Sequence, residues 1–214
     1  MFQDSNSLNI LKLTFYHDKT LIVLISISLL IAGGLLLFWS NNYYNIEYME
    51  YQLLEFLWTV MPAFILLSIA FPSIIALYYL DEVIKSMFSV KVIAHQWYWS
   101  YEYPFITNNN TYDRFMKQEL ERGEFRLLDA SSSIILLDKL MTQIMITSSD
   151  VLHSWTVPVL GVKIDATPGR IGQAACFPLY TGVFYGQCSE ICGVNHTFIP
   201  VKVEIISRSD IGIF

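Results

Sequence analysis

Two long stretches without a charged side chain constrain the fold of this chain more than any other feature. The first stretch, 21–39, holds 19 residues, and the second, 56–80, holds 25. At a rise of about 1.5 Å per residue, a helix over either stretch can cross the hydrocarbon core of a bilayer. The first stretch is too long for the apolar core of a secretory signal. The sequence therefore predicts two transmembrane helices.

The second stretch contains Pro62 and Pro72. Prolines kink a membrane helix and free backbone groups that neighbouring helices must then satisfy. This favours a chain that docks against other membrane-spanning subunits.

The two stretches divide the chain into three predicted parts. These are an N-terminal lead over 1–19, a transmembrane helix hairpin over 20–80 and a second domain over 81–214. In the last part, short segments rich in β-branched and aromatic residues alternate with turn residues, which is typical of a β-sandwich or barrel. We predict a polar surface excursion over 105–123 and strands over 91–103, 125–128, 133–137 and 141–147.

The charge balance limits the possible partners. The net charge is −6, and an acidic chain is a poor match for nucleic acid, whose binding proteins carry basic patches. We therefore expect no nucleic-acid partner. Lys12 and Lys19 precede the first stretch, and the positive-inside rule applied to them would place both termini on the inner side of the membrane.

The densest group of potential metal ligands is Cys188-x3-Cys192-x3-His196. His153 can add a second imidazole from a separate loop. Sulfur combined with imidazole suits copper or zinc rather than magnesium or calcium. The spacing alone leaves open a copper site, a structural zinc site, a short disulfide and a pair of buried thiols.

Four separate segments resemble the cytochrome c oxidase subunit II family, in the order that the family has them. They are HQWYWSYEY (95–103), DVLHSW (150–155), PGR (168–170) and YGQCSEICGVNH (185–196). The resemblance extends from about residue 55 to about residue 203. It implies an α+β membrane protein, in which a two-helix transmembrane hairpin is followed by a cupredoxin-like Greek-key β-sandwich.

The resemblance also implies a binuclear copper centre, called CuA. Cys188 and Cys192 would bridge its two copper ions as thiolates, His153 and His196 would each bind through an imidazole, and Glu190 would bind through its backbone carbonyl. The Glu190 carboxylate would also reach a magnesium ion shared with the catalytic subunit, in keeping with the preference of magnesium for oxygen ligands.

One position departs from the family pattern. Three residues after His196 the family has a methionine that binds one copper weakly, whereas this chain has Ile199, which cannot coordinate. The codon could be one that some mitochondrial codes translate as methionine, the message could be edited, or the isoleucine could be real and shift the redox potential. The four strong ligands remain in each case, and we expect copper to be retained.

Further residues take roles by resemblance. Trp97 matches the tryptophan that passes electrons from cytochrome c to copper, although a packing role is the alternative. Glu102, Asp113 and Asp150 are candidates for docking the basic cytochrome c, and an ordinary solvated charge is the alternative for each. Glu55 matches a glutamate at the mouth of a proton path in the catalytic subunit, and is equally well explained as an interfacial charge.

The resemblance thus implies the subunit through which electrons enter a mitochondrial-type cytochrome c oxidase. It would accept electrons from cytochrome c and pass them to the haem of subunit I, which reduces oxygen, so that this chain belongs to an oxidoreductase and proton translocase without holding a complete active site. Expected partners are subunit I, other oxidase subunits, cytochrome c and the lipid bilayer. The resemblance places the copper domain and both termini in the intermembrane space of the mitochondrial inner membrane, against the lysine count.

Two other classes of function are possible. A quinol-oxidase type of subunit II is structural and free of copper, but it lacks the cysteine pair that this chain has. A zinc-stabilised, membrane-anchored interaction module would explain the cysteines and histidines without any redox role.

Overall fold

The computed structural model describes residues 2–43, 45–47, 49–82, 86–104 and 111–211. The chain forms two compact units, Leu13–Tyr78 on the one hand and Met1–Lys12 with Tyr79–Phe214 on the other. The first unit consists mainly of two helices and the second mainly of strands.

Helices α1 (Leu8–Ser40) and α2 (Gln52–Asp81) contain the two predicted membrane spans. Their most apolar 18-residue windows have mean hydropathies of 2.8 and 2.3, and no residue of either window is buried. Apolar surface of this extent is stable in lipid or against other apolar helices. The helices thus have the length and surface that a bilayer requires.

The residues before α1 pack against the β-strand unit. The side-chain amide of Asn6 donates to the carbonyl of Tyr180 over 2.9 Å, and Ser7 Oγ donates to the carbonyl of Leu160 over 2.5 Å. Ser7 also accepts from a backbone N–H in the first turn of the helix, which makes it the N-cap. Helix α1 therefore begins at Leu8, inside the segment predicted as a lead.

Ten strands follow α2 in the described residues, and they form two five-stranded sheets. The first sheet has the order β3-β2-β1-β5-β8 and the second the order β4-β10-β9-β6-β7. Strands β1 and β5 pair in parallel, as do β4 and β10, and the remaining pairs are antiparallel. The strands are β1 (Phe88–His95), β2 (Tyr98–Glu102), β3 (Tyr112–Arg114), β4 (Ile134–Leu137), β5 (Thr142–Ser148), β6 (His153–Val157), β7 (Val162–Ala166), β8 (Gly172–Cys176), β9 (Gly182–Cys188) and β10 (Pro200–Ile206).

The core lies between the two sheets, and alternation along the strands fills it. On β1, for example, Val90, Val92 and Ala94 are fully buried while the residues between them are partly exposed. Trp155 of the second sheet donates its indole N–H to the hydroxyl of Tyr101 in the first sheet over 3.2 Å. The result is the predicted two-sheet sandwich, with a polar contact that joins its layers.

Three local predictions were wrong. The segment predicted as one strand over 91–103 forms β1 and β2, with a turn at residues 96 and 97. The segment predicted as a strand over 125–128 forms a turn, because the Asp129 carboxylate accepts from the N–H of Phe125 over 2.7 Å. Strand β3, which is partly exposed, lies inside the predicted surface excursion, of which 105–110 are outside the described residues.

Candidate metal centre

The predicted ligands lie at one end of the second sheet, where β6 and β9 are neighbours. His153 is the first residue of β6 and Cys188 the last residue of β9. Because these strands are antiparallel, the first residue of β6 and the last residue of β9 lie at the same end of the sheet. Cys192 follows in the next loop, and His196 begins a 3-10 turn that leads into β10. The N–H of Cys188 donates to the carbonyl of Ile199 over 3.2 Å, which closes this loop.

The side chains at this end of the sheet bring their donor atoms together. Cys188 Sγ lies 3.9 Å from His153 Nδ1 and 4.0 Å from Cys192 Sγ. Cys192 Sγ lies 3.5 Å from His196 Nδ1, and the carbonyl oxygen of Glu190 lies 3.3 Å from Cys188 Sγ. All five predicted ligand groups thus belong to one cluster. The sulfurs are about twice as far apart as the ~2.05 Å of a disulfide bond, so both thiols are free.

Most of this cluster is shielded from solvent. His153 is 0% exposed, Cys192 3% and Cys188 8%. Two sulfurs, two imidazole nitrogens and one carbonyl oxygen in a buried pocket form a donor set that fits copper, and the same nitrogens and sulfurs are acceptable to zinc. The residues therefore fit a soft metal centre. The donor atoms alone do not distinguish copper from zinc.

The two thiols differ in acidity. Burial alone would raise the pKa of the Cys188 thiol, but hydrogen bonding to His153 and to the backbone of Ser154 outweighs burial and lowers that pKa. Burial and the neighbouring Cys188 raise the pKa of the Cys192 thiol. Cys188 is therefore the more acidic of the two thiols, and a bound cation would favour deprotonation of Cys192.

The Asp150 carboxylate binds the ring nitrogen of His153 that does not face Cys188. Its Nε2 lies 2.9 Å from Asp150 Oδ1, and its Nδ1 faces Cys188. Burial opposes the charged imidazole, but Cys188 and Asp150 outweigh burial and raise the pKa of His153. A carboxylate can only accept here, so in the neutral ring that binds a metal ion the hydrogen sits on Nε2 and Nδ1 is free for the ion. The sequence suggested Asp150 only as a docking residue, because a sequence does not show where a side chain points.

Trp97 lies in the turn between β1 and β2 and contacts the ligand loop. Its Nε1–H donates to the carbonyl of Cys192 over 3.3 Å, and the Gln96 side-chain amide donates to the same oxygen over 2.8 Å. Gly193 has a φ of +123°, and a Cβ there would come within 3.2 Å of the Trp97 ring. The glycine thus permits both the backbone conformation and the close approach of the ring.

The other predicted site residues lie outside the ligand cluster. Glu102 pairs with Lys91 over 2.8 Å, and Asp113 accepts from the Ser100 hydroxyl over 2.6 Å. Glu55 is exposed in the first turn of α2.

Two predicted positions near the cluster differ in exposure. The side chain of Glu190 is exposed, although its carbonyl oxygen turns toward Cys188. Ile199, at the position of the weak ligand, is only 1% exposed and belongs to the core.

A helical membrane anchor joined to a β-sandwich with paired thiols and imidazoles at its edge defines a membrane-anchored protein with a soft-metal centre. The family described as cytochrome c oxidase subunit II matches this chain through its transmembrane domain over residues 1–76 and its periplasmic domain over residues 88–206. The chain belongs to the cytochrome c oxidase subunit II family.

Relatives support this assignment over nearly the whole chain. Cytochrome c oxidase subunit 2 of Yponomeuta malinellus is 48% identical over 198 residues, which cover 92% of this chain and 86% of the relative. The Aedes aegypti protein of the same name is 48% identical over 206 residues, which cover 95% and 90%. The solved periplasmic domain of subunit II of cytochrome oxidase from Bradyrhizobium japonicum is 34% identical, with a TM-score of 0.56, over 61% of this chain and 92% of that one.

Family membership confirms the general prediction of function. The chain is a membrane-anchored subunit of the cytochrome c oxidase complex and acts in respiratory electron transport as the subunit through which electrons enter. Its His and Cys cluster corresponds to the copper site that the family implies.

Proposed function

We propose that Cys188, Cys192, His153, His196 and the Glu190 carbonyl bind the two copper ions of a CuA centre, which receives electrons from cytochrome c. The main support for this proposal is that all five groups lie together at one end of the second sheet. Their neighbouring donor atoms are 3.3–4.0 Å apart. When bound, the copper pair would supply a one-electron redox centre held by these five groups.

The protein contributes a stiff frame for these ligands. Besides the ladder between β6 and β9, the N–H of Ser189 donates to the carbonyl of Ser154 over 3.0 Å, and the N–H of Cys188 is held by Ile199. Hydrogen bonds on both sides of Cys188 limit how far the ligands can move when the charge of the centre changes. Burial of His153 and Cys192 keeps water away from the sulfurs.

We propose Trp97 as the residue at which electrons from cytochrome c enter. Its hydrogen bond to the Cys192 carbonyl connects the ring to a ligand residue without an intervening side chain. Haem of the catalytic subunit I is the proposed acceptor on the other side of the centre.

We propose Glu102, Asp113 and Asp150 as acidic groups that help to dock a basic partner, cytochrome c. Lys91 and Ser100 already bind the first two carboxylates. Their contribution is therefore a long-range attraction that speeds the encounter and weakens with salt.

Two further roles concern the partner subunits. The Glu190 carbonyl turns to the copper ligands while its exposed side chain is available for a magnesium ion at the boundary with subunit I. Glu55, exposed at the start of α2, is proposed to lie at the mouth of a proton path in subunit I.

We propose that the copper domain and both termini lie in the intermembrane space of the mitochondrial inner membrane. The bonds of Asn6 and Ser7 to the β-strand unit support a common side for the start of α1 and the copper domain. The proposed division is 1–19, 20–80 and 81–214, and Asn6 and Ser7 of the lead bind to the last part. Protease treatment of mitochondria with ruptured outer membranes should degrade the copper domain; protection of that domain would contradict this placement.

Metal stoichiometry tests the copper assignment. Full-length protein in detergent, purified without metal, is titrated with copper and with zinc, and bound metal is measured by mass spectrometry. We expect two copper ions per chain, fewer for Cys192→Ser, and two for the control Cys176→Ala, whose buried thiol lies on β8. One tightly bound zinc and no copper would favour the zinc-stabilised module instead.

A further inference from the structure

We propose that Asp150 is a positioning residue that holds the copper ligand His153 and the turn carrying Trp97 in one fixed arrangement. Its two carboxylate oxygens bind different parts of the fold. Oδ1 lies 2.9 Å from His153 Nε2, and Oδ2 accepts from the backbone N–H of Gln96 over 2.6 Å. This inference rests on the proposed copper site and adds a residue that supports it.

The carboxylate is turned inward rather than toward a partner. Oδ1 also accepts from the N–H of Val151 over 2.6 Å and from the Ser148 hydroxyl over 3.3 Å. Four donors therefore surround a side chain that is 30% exposed. Asp150 can therefore add to docking only through its charge, as Glu102 and Asp113 do, and its contacts give it a structural task as well.

The loop around Asp150 is itself tied to β1. The N–H and hydroxyl of Ser149 both donate to the carbonyl of Ala94, over 3.0 and 3.1 Å. Asp150 then holds Gln96, the residue just before Trp97. The Trp97 ring donates a hydrogen bond to the carbonyl of Cys192. A shift of this turn would therefore move the ring relative to the loop that carries Cys192.

The same carboxylate sets the chemistry of His153. By accepting from Nε2 it fixes the ring orientation and leaves Nδ1 directed at Cys188. Hydrogen-bonded partners of metal-binding histidines typically contribute about 10–100-fold in metal affinity or activity. Asp150 thus supports both His153 and Trp97, the residue at which electrons are proposed to enter.

The test uses the assembled, copper-loaded oxidase with Asp150→Ala and Asp150→Asn. The control is Asp165→Asn, which removes an exposed carboxylate from β7. The reduction potential and the electron paramagnetic resonance signal of the copper centre are measured without cytochrome c. Then kcat and KM for cytochrome c are measured at low and high salt.

We expect Asp150→Ala to shift the potential and the copper signal and to lower kcat about tenfold, which is within the range for such partners. Asp150→Asn, which keeps one acceptor oxygen, should show smaller shifts in the same direction, and Asp165→Asn none. Should Asp150→Ala fail to assemble, the Asn variant decides.

An unchanged copper signal and potential, with only a raised and salt-dependent KM, would overturn the proposal and leave Asp150 as a docking acid. Failure of the unsubstituted protein to show a copper signal would instead contradict the proposed function.

Discussion

The indole nitrogen of Trp97 lies 3.3 Å from the carbonyl oxygen of Cys192, to which it donates a hydrogen bond. The two residues lie in loops that connect strands of the first and of the second sheet, respectively, and they are far apart in sequence. Their contact joins an aromatic side chain in the β1–β2 turn to the loop that carries the ligands. In the proposed function, this contact would give electrons a short path from the protein surface to the copper centre.

Replacing Trp97 with phenylalanine removes that hydrogen bond and keeps a ring. We expect the copper signal to remain and the rate of electron transfer from cytochrome c to fall at least about tenfold, which corresponds to about 1.4 kcal/mol in the barrier. Stopped-flow mixing with reduced cytochrome c measures this rate. Trp39→Phe, at an exposed position of α1, is the control, and equal rates for both variants would contradict the role of Trp97.

The Ile199→Met variant tests the departure from the family pattern. Ile199 is 1% exposed, and a swap of similar volume in a core usually costs less than about 1.5 kcal/mol, so the variant should fold. We expect copper in both forms and a shifted reduction potential in the variant, because a thioether adds a weak ligand. A redox titration followed by absorbance measures the shift, and identical potentials would show that this position does not tune the centre.

Gly186 allows β9 to approach β6 closely. A Cβ at this position would overlap the carbonyl oxygen of Thr156. Gly186→Ala should force the two strands apart, destabilise the fold by about 1–3 kcal/mol and weaken copper binding, because these strands carry Cys188 and His153. Thermal unfolding and copper titration measure both effects. Gly33→Ala, in open space on α1, is the control, and equal stability of the two variants would contradict this account.

The ion pair between Asp129 and Lys202 makes the free energy of unfolding depend on pH in the acid range. Burial would raise the pKa of the Asp129 carboxyl, but Lys202 at 2.5 Å and the N–H of Phe125 outweigh burial and hold that pKa below the usual 3.8. The unfolded chain therefore takes up this proton at a higher pH than the folded chain does. The contribution of the pair is complete above about pH 4 and is lost as the pH falls through the lower folded pKa.

Asp129→Asn should accordingly cost about 2 kcal/mol at neutral pH and make unfolding less sensitive to acid. Thermal unfolding in detergent between about pH 3 and pH 7 measures this, with the exposed Asp165→Asn as the control. If the variant loses stability at low pH as much as the unsubstituted protein does, a group other than Asp129 causes the loss of stability in acid.

The sequence predicted the features that depend on composition and spacing. Length and lack of charge predicted both membrane helices, and the motif around Cys188 predicted a ligand group that the fold brings together. Short segments rich in β-branched and aromatic residues, separated by turn residues, predicted the sandwich, because such residues fit half-buried strands.

Features that depend on where one side chain points were not predictable. The apolar residues of 125–128 suggested a strand, but the Asp129 carboxylate captures a backbone N–H and closes a turn. Likewise, the position of Asp150 near His153 in sequence gave no sign that its two oxygens bind separate loops. Such contacts depend on tertiary structure, which a local pattern does not contain.

Electron paramagnetic resonance of the copper-loaded full-length protein, with isoleucine at position 199, tests the central claim most directly. A multi-line signal from one electron shared by two copper ions is the predicted result, and it should disappear in Cys188→Ser. A four-line signal from a single copper, or a protein that holds zinc and shows no copper signal, would contradict the binuclear centre.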